Sequence, residues 1–375
     1  MKIVFTGGGS GGHFYPIVAI AEKLSDLSLE QKIVDIRLYF LSESPYDKRR
    51  LFENAITYVS VPSGKLRRYF SLRTLLVPLE TIIGITKALI ALWNIYPDVV
   101  FGKGGYSSFP TLVAAKLLRI PIMIHESDSV PGKTNVWAGK FADRIALSFK
   151  EASSFFPEEK IAYTGQPVRK EILTKATEGA EEYLHLEEGV PTILILGGSL
   201  GSQIINNTIL EVLPEILKEY QVIHQVGDGN IKEIESTVGV ILEKHPEKSR
   251  YHPFGTLNDL ATKMSAGVAS LVISRAGSTI FEIAAWNLPS IIIPITDSNG
   301  DHQRKNAYNY ARTGACTVIE ERNLAPHLLV AEIRKIVSSP DLSEKMRVAA
   351  KGFFKPDAAR VIAEELVRIG LSHEK

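Results

Sequence analysis

The feature that most restricts how this chain can fold occurs twice: a short apolar run breaks into a glycine-rich turn and then into a helical pattern. The first copy is Ile3-Val4-Phe5-Thr6-Gly7-Gly8-Gly9-Ser10-Gly11-Gly12, and the second is Ile193-Leu194-Ile195-Leu196-Gly197-Gly198-Ser199-Leu200-Gly201. A strand that passes directly into a helix opens a βαβ unit, whose next strand runs parallel to the first. Further strand runs follow each copy: Ile36 to Leu41, Asp98 to Phe101, Pro121 to His125 and Arg144 to Ser148 after the first, and Gln221 to Gln225, Leu271 to Ser274 and Ser290 to Pro294 after the second. With 375 residues the chain exceeds what one hydrophobic core usually serves. The expectation is an α/β protein of two Rossmann-like, doubly wound parallel-sheet domains, residues 1–165 and 166–345, crossing near the start of the charged stretch Lys170 to Gly189. Ligand is expected at the carboxyl ends of the strands, in a cleft between the domains.

Glycines let the backbone approach a ligand, and a helix that starts after them aims free N–H groups at an anion. Both turns are therefore phosphate cradles or tight strand-to-helix packing. Gly7, Gly9 and Gly12 also fit a dinucleotide fingerprint, but the acid expected about 20 positions on is misplaced: Asp35 precedes the apolar part of the next strand and Glu43 comes late. That argues against a nicotinamide dehydrogenase. His13 follows the glycines at a helix start, as a general base or as a simple cap. Ser274 to Ala285 reads as a third strand, turn and helix start, with Ser278 and Thr279 at capping positions.

Charge is nearly balanced, 43 Lys plus Arg against 42 Asp plus Glu, so no field of the whole molecule selects nucleic acid. Cys316 is the one cysteine; it cannot form an internal disulfide and reads as a small buried hydrophobe. No Cys/His spacing or Asp-x-Asp motif suggests a metal, and no cofactor is expected. The N-terminus runs straight into a strand without a signal-peptide pattern. The apolar stretch Leu75 to Trp93 is interrupted by Pro78, Glu80 and Lys87, which suits a packed or interfacial helix better than a spanning one. Just before it, Lys65 to Arg73 holds four cations among aromatic and aliphatic side chains, and alone reads as a solvated basic loop.

Six motifs then occur in order: Gly8-Gly9-Ser10-Gly11-Gly12-His13, Gly104-Gly105-Tyr106-Ser107-Ser108, His125-Glu126, Gly165-Gln166-Pro167-Val168-Arg169, Gly197-Gly198-Ser199-Leu200-Gly201, and Asp301-His302-Gln303-Arg304-Lys305-Asn306-Ala307. From Met1 to about Ile362 the chain resembles the peptidoglycan N-acetylglucosaminyltransferases that convert lipid I to lipid II, in glycosyltransferase family 28. The resemblance implies the GT-B arrangement, with 1–165 facing acceptor and membrane and 166–345 binding the UDP-sugar. It also implies that 346–375 rejoins the first domain through a final helix, Asp357 to Leu371. The activity implied is inverting transfer from UDP-N-acetylglucosamine to the lipid-linked acceptor, at the cytoplasmic face of the membrane as a peripheral protein. On the acceptor side it implies Ser10, Gly11 and Gly12 as substrate-binding, with His13 or Glu126 as the base; Asp128 is a further candidate from its own carboxylate, to bind a sugar hydroxyl or to be the base. On the donor side it implies Arg169 and Ser199 at the diphosphate, Glu282 at the ribose, Phe254 with Gly255 at the uracil, and His302 and Gln303 at the sugar. The basic segment Lys65 to Arg73 then becomes a contact for anionic lipid. Asp128 departs from the family, many of whose members carry asparagine there. Rival readings are an epimerase-like enzyme or another transferase with a non-lipid acceptor, and a two-lobed sugar-nucleotide-binding protein without catalysis.

Overall fold

The structure is a computed structural model that describes residues 1–30, 35–64, 77–198, 200–296 and 298–373. Ser199 and the basic segment Lys65 to Arg73 lie outside the described residues. The chain forms two compact units, one of Met1–Arg169 with Lys355–Lys375, the other of Lys170–Phe354.

The first unit is built on seven parallel strands: β1 (Lys2–Thr6), β2 (Arg37–Ser42), β3 (Ile56–Ser60), β4 (Val99–Gly102), β5 (Ile122–Glu126), β6 (Arg144–Leu147) and β7 (Ile161–Tyr163), in the order β3-β2-β1-β4-β5-β6-β7. Alternate residues of β1 go to opposite faces: Ile3 and Phe5 join one core and Val4 the other. On the first face lies the helix Gly11–Glu30, whose Phe14, Ile17, Val18, Ala21 and Leu24 follow helical spacing and are all buried. It packs against the final helix, Ala358–His373, through Ile362, Leu366 and Ile369. On the second face, the helix Val77–Ile95 buries only Val77, Gly84, Ala88 and Leu92. A Cβ added at Gly84 would stand 2.0 Å from the Pro62 carbonyl oxygen, so the close approach there requires glycine.

The second unit has six parallel strands: β8 (Thr192–Leu196), β9 (Gln221–Gln225), β10 (Tyr251–Phe254), β11 (Ala269–Ser274), β12 (Ser290–Ile292) and β13 (Cys316–Val318), in the order β10-β9-β8-β11-β12-β13. The helix Gln203–Ile216 is capped by the Ser202 hydroxyl, which accepts from the Ile205 N–H, and buries Ile205, Ile209, Val212, Leu213 and Ile216 at helical spacing. The helix Pro340–Phe353 belongs to this unit, and the chain returns to the first at Lys355. Both units are Rossmann-like. In each sheet the strand order reverses beside the first strand of the unit, between β1 and β4 and between β8 and β11, and a crevice opens at the carboxyl ends of strands at such a point.

Candidate functional site

At the β1–β4 switch point the chain supplies Gly7 to Ser10 from one strand and Lys103 to Ser108 from the other. Ser10 stands at the start of its helix, its carbonyl accepting from the N–H groups of His13 and Phe14. Its hydroxyl lies 2.9 Å from His13 Nδ1. His13 packs on Gly105, where an added Cβ would fall 3.5 Å from the imidazole and 3.0 Å from the Gly8 carbonyl oxygen; with φ at +80°, that position suits glycine alone. Ser10, Gly11, Gly12 and His13 thus present one exposed to half-buried helix start. Tyr106 donates to Glu43 Oε2 at 2.8 Å, tying the second loop to the end of β2.

The end of the neighbouring β5 carries His125 and Glu126. His125 is fully buried, donates from Nε2 to the Gly165 carbonyl oxygen at 3.1 Å, and is held well below its usual pKa, chiefly by burial and then by the Lys103 charge. Glu126 is 4% exposed, and its carboxylate accepts from the N–H groups of Asp128 and Gly132 and from Asn135 Nδ2, at 2.9, 3.1 and 2.9 Å. Those three bonds close the loop from Glu126 to Gly132. Burial, and next the charge of Asp128, push the Glu126 carboxyl above its ordinary pKa. Asp128 is half-buried in that loop.

One group here escaped the sequence reading. Lys103, 1% exposed at the end of β4, donates from Nζ to Ser127 Oγ, and Ser127 in turn donates to Gln166 Oε1 at 2.7 Å. Burial pulls its pKa down to about 8, against the opposing charges of Glu126 and Asp128. The only hint in the sequence is a lysine between an apolar strand and two glycines. Arg169, 8% exposed, stacks its guanidinium 3.8 Å from the centre of the Tyr15 ring.

In the second unit, the described part of the β8 turn includes Gly198, with φ at +90° and open space where a Cβ would stand. Gln225, also unforeseen, joins this turn to the end of β10: its Nε2 donates to the Gly198 carbonyl at 3.0 Å, and its Oε1 accepts from the Leu257 N–H at 3.3 Å. Phe254 is half-buried at the end of β10. The turn after β11 leads to the helix Thr279–Ala285, with Glu282 half-buried on its first turn. Ser278 occupies the N-cap position but has helical φ and ψ and makes no side-chain cap bond, which corrects the expectation of a capping hydroxyl. Arg275 replaces it as the organiser of this turn, donating to Ser202 Oγ, to Glu321 Oε1 and to the Ile293 carbonyl.

His302 and Gln303 begin the helix His302–Ala311, whose Asn306 donates to the Ala276 carbonyl and so fixes that helix to the β11 turn. Gln303 accepts from the Ile295 N–H through Oε1, and its N–H2 group has no protein partner among the described residues. Gly198, Phe254 and Glu282 thus lie at or just after the carboxyl ends of β8, β10 and β11, and His302 and Gln303 at the start of the helix that follows β12.

Comparison with known proteins decides what these two groups of residues belong to. Residues 3–147 match the glycosyltransferase family 28 N-terminal domain, and residues 192–362 match the glycosyltransferase family 28 C-terminal domain. The chain belongs to glycosyltransferase family 28. Among its relatives is the UDP-N-acetylglucosamine--N-acetylmuramyl-(pentapeptide) pyrophosphoryl-undecaprenol N-acetylglucosamine transferase 2 of Bacillus cereus (strain ATCC 10987 / NRS 248), 35% identical over 368 residues, 97% of this chain and 99% of the relative. The crystal structure of Acinetobacter baumannii MurG has the same fold, with a TM-score of 0.72, 23% identity, and coverage of 98% of this chain and 99% of that one. The UDP-GlcNAc 2-epimerase from Neisseria meningitidis bound to UDP-GlcNAc shares the fold at a TM-score of 0.67 but only 14% identity, covering 98% of this family 28 chain and all of its own.

Proposed function

We propose that this family 28 enzyme transfers N-acetylglucosamine from UDP-N-acetylglucosamine to the 4-hydroxyl of undecaprenyl-diphospho-N-acetylmuramoyl-pentapeptide, lipid I, and so makes lipid II. The observation that carries this reading is the 35% identity, over nearly the whole of both chains, to a transferase whose name states donor and acceptor. The epimerase reading rests on a shared fold alone, and family 28 membership removes the reading as a binding protein.

In the reaction the acceptor hydroxyl oxygen bonds to the anomeric carbon, its proton passes to a base, and the bond from that carbon to the diphosphate breaks with its electron pair leaving on UDP. Attack opposite the leaving group inverts the anomeric centre. We assign the proton to Asp128. Glu126 has its oxygens committed to three N–H groups, and a helix N-terminus disfavours the imidazolium that His13 would become as a base. His13, with Ser10, Gly11 and Gly12, is left to bind acceptor oxygens through side chain and helix N–H groups.

For the donor, the β8 turn with Ser199, together with the oriented guanidinium of Arg169, is assigned to the diphosphate, whose leaving charge such groups stabilise. Glu282 is assigned to the ribose hydroxyls, the edge at Phe254 and Gly255 to the uracil, and His302 and Gln303 to the sugar. The uncommitted N–H2 of Gln303 supports the last role.

Membrane contact is part of the same proposal. The helix Val77–Ile95 is long and apolar enough to span a bilayer by length and composition, but one face packs on the helix Phe109–Leu117. Of its large apolar residues, Leu79, Ile82, Ile83, Ile90 and Trp93 are exposed, which supports shallow insertion at the cytoplasmic surface, where the lipid-linked acceptor resides.

The test mixes protein, UDP-N-acetylglucosamine and a short-chain lipid I analogue and follows UDP release. Acceptor-dependent release is expected, falling about 100-fold or more in Asp128→Asn. Release that is equal without acceptor would sink the reading in favour of an epimerase-like enzyme.

A further inference from the structure

Arg275, in the turn after β11, and Glu321, three residues beyond β13, form an ion pair at 2.6 Å with side chains only 13% and 17% exposed. The roles assigned so far use neither residue. A guanidinium is a rigid fork, and here it reaches three segments of the second unit. Nη2 donates to Glu321 Oε1 and, also at 2.6 Å, to Ser202 Oγ, the cap of the helix that follows the β8 turn. Nη1 donates at 3.1 Å to the carbonyl of Ile293, the residue after β12. The other oxygen of Glu321 accepts from the Thr296 N–H at 3.0 Å. Thr296 lies in the loop that carries the chain from β12 to His302 and Gln303, and that loop is exposed at Ile295 and Thr296. Within it the Ile295 N–H donates to Gln303 Oε1, and the Gln303 N–H donates to Ser298 Oγ, each at 3.2 Å. A chain of bonds thus runs from the cap behind the β8 turn, through Arg275 and Glu321, to the loop that ends at Gln303.

Removing either partner would leave the other's charge largely buried without its counterpart, so the pair acts as a unit. Burial opposes the charge on Glu321, but the Thr296 N–H and the Arg275 guanidinium outweigh it and hold the carboxyl below its ordinary pKa. We propose that Arg275 and Glu321 are positioning residues for donor selection: through Ser202 on one side and Thr296 on the other, they fix the spacing between the turn that takes the diphosphate and the loop that presents Gln303 to the sugar. This rests on the β8 turn holding the diphosphate and on Gln303 reading the sugar. The bonds of Gln303 to Ile295 and Ser298 stay within the loop, and the bond from Thr296 to Glu321 joins the loop to the diphosphate side.

A sugar is told from its epimer by the direction of one hydroxyl, so the group that reads it has to be held to within about 0.5 Å. Loosening the chain of bonds costs the matching sugar more than the epimer, because the matching one makes the full set of contacts. Its diphosphate and uridine keep theirs. A variant that merely folded less well would supply fewer binding sites and leave the relative affinities of the folded fraction as they were.

The experiment measures, by competition against labelled UDP, the Kd values of UDP-N-acetylglucosamine, of its 4-epimer UDP-N-acetylgalactosamine and of UDP. The chains compared are the wild type, Glu321→Gln, Arg275→Met, the double variant Arg275→Met/Glu321→Gln, and Gln303→Ala. In Glu321→Gln the preference for UDP-N-acetylglucosamine over its epimer falls by about threefold to tenfold, while the Kd for UDP, served by the intact bond from Arg275 to Ser202, is unchanged. Arg275→Met loses the same preference and also binds UDP more weakly. The double variant loses no more preference than Arg275→Met alone. If Arg275→Met does not fold, as judged by melting temperature, Arg275→Lys takes its place, since it keeps a charge but not the fork. The proposal is overturned by a preference unchanged in Glu321→Gln or in the Arg275 variant, by UDP weakening in Glu321→Gln as much as UDP-N-acetylglucosamine does, or by losses that multiply in the double variant. A wild-type chain that binds both sugars equally, or a Gln303→Ala variant that keeps the preference, overturns the donor reading and the role of the pair with it. Preference lost in Gln303→Ala but kept in both single variants of the pair leaves the donor reading standing and refutes the role of Arg275 and Glu321 alone.

Discussion

A carboxylate with three N–H donors is a structural brace, and Glu126 shows how a residue's neighbours, not its type, set its task. In Glu126→Gln one side-chain oxygen becomes an N–H2 group that faces a backbone or amide donor. The variant should lose about 1–3 kcal/mol of stability, the cost of a buried donor left unpaired, read as a lower denaturation midpoint. His224 gives a second test. It is fully buried beside Tyr251, and burial brings its pKa down to about 3. The unfolded chain takes up this proton below about 6.5 and the folded chain does not until about 3, so the unfolded state binds more protons in that window. Stability therefore falls as pH drops through it. Urea midpoints at pH 7, 5 and 4 should decline, with a shallower slope in His224→Gln. Which residues crowd the switch point was legible in the sequence wherever glycines marked a turn: Gly7 to Gly12, Gly104 to Gly105 and Gly197 to Gly198. Lys103 and Gln225 were not, because each acts through partners distant in sequence.

At the scale of elements, all nine interior strands were legible and all four edge strands were missed. β1, β2, β4, β5, β6, β8, β9, β11 and β12 lie between neighbours and read as apolar runs, as strands of a parallel sheet covered on both faces should. β3, β7, β10 and β13 close the sheets, and after at most one buried residue their positions are half-buried or exposed, so hydrophobic patterning has little to register there. The helix Val77–Ile95 was legible as apolar, but not its contact with Pro62, which depends on the missing side chain of Gly84. Gly84→Val should force the helix from its seat, at a cost of about 1–3 kcal/mol or more, and lower the melting temperature without changing the KM for UDP-N-acetylglucosamine.

For the whole molecule, two sheets with separate cores predict two melting transitions, and a ligand that binds one native unit raises that unit's transition by mass action. UDP should shift the transition of the unit Lys170–Phe354, as resolved by calorimetry, with the other moving less. Leu366→Ala should do the opposite in kind. It removes a fully buried side chain from the first unit's core, lowering that unit's transition by about 2–5 kcal/mol equivalent. The division into two halves was legible because the strand, turn and helix opening repeats; which half the last helix joins followed from resemblance, not from its own sequence.

The placement of that last helix, Ala358–His373, against Gly11–Glu30 sets an order of events during synthesis. Every residue of Lys170–Phe354 is synthesised before the segment that packs on the helix Gly11–Glu30 is made. The half begun second can be finished first, and the half begun first waits with part of one face bare until the helix Ala358–His373 has been made. A premature stop between the two would release a chain with a foldable second half and a first half whose helix Gly11–Glu30 lacks its apolar partner, a surface that chaperones and proteases recognise.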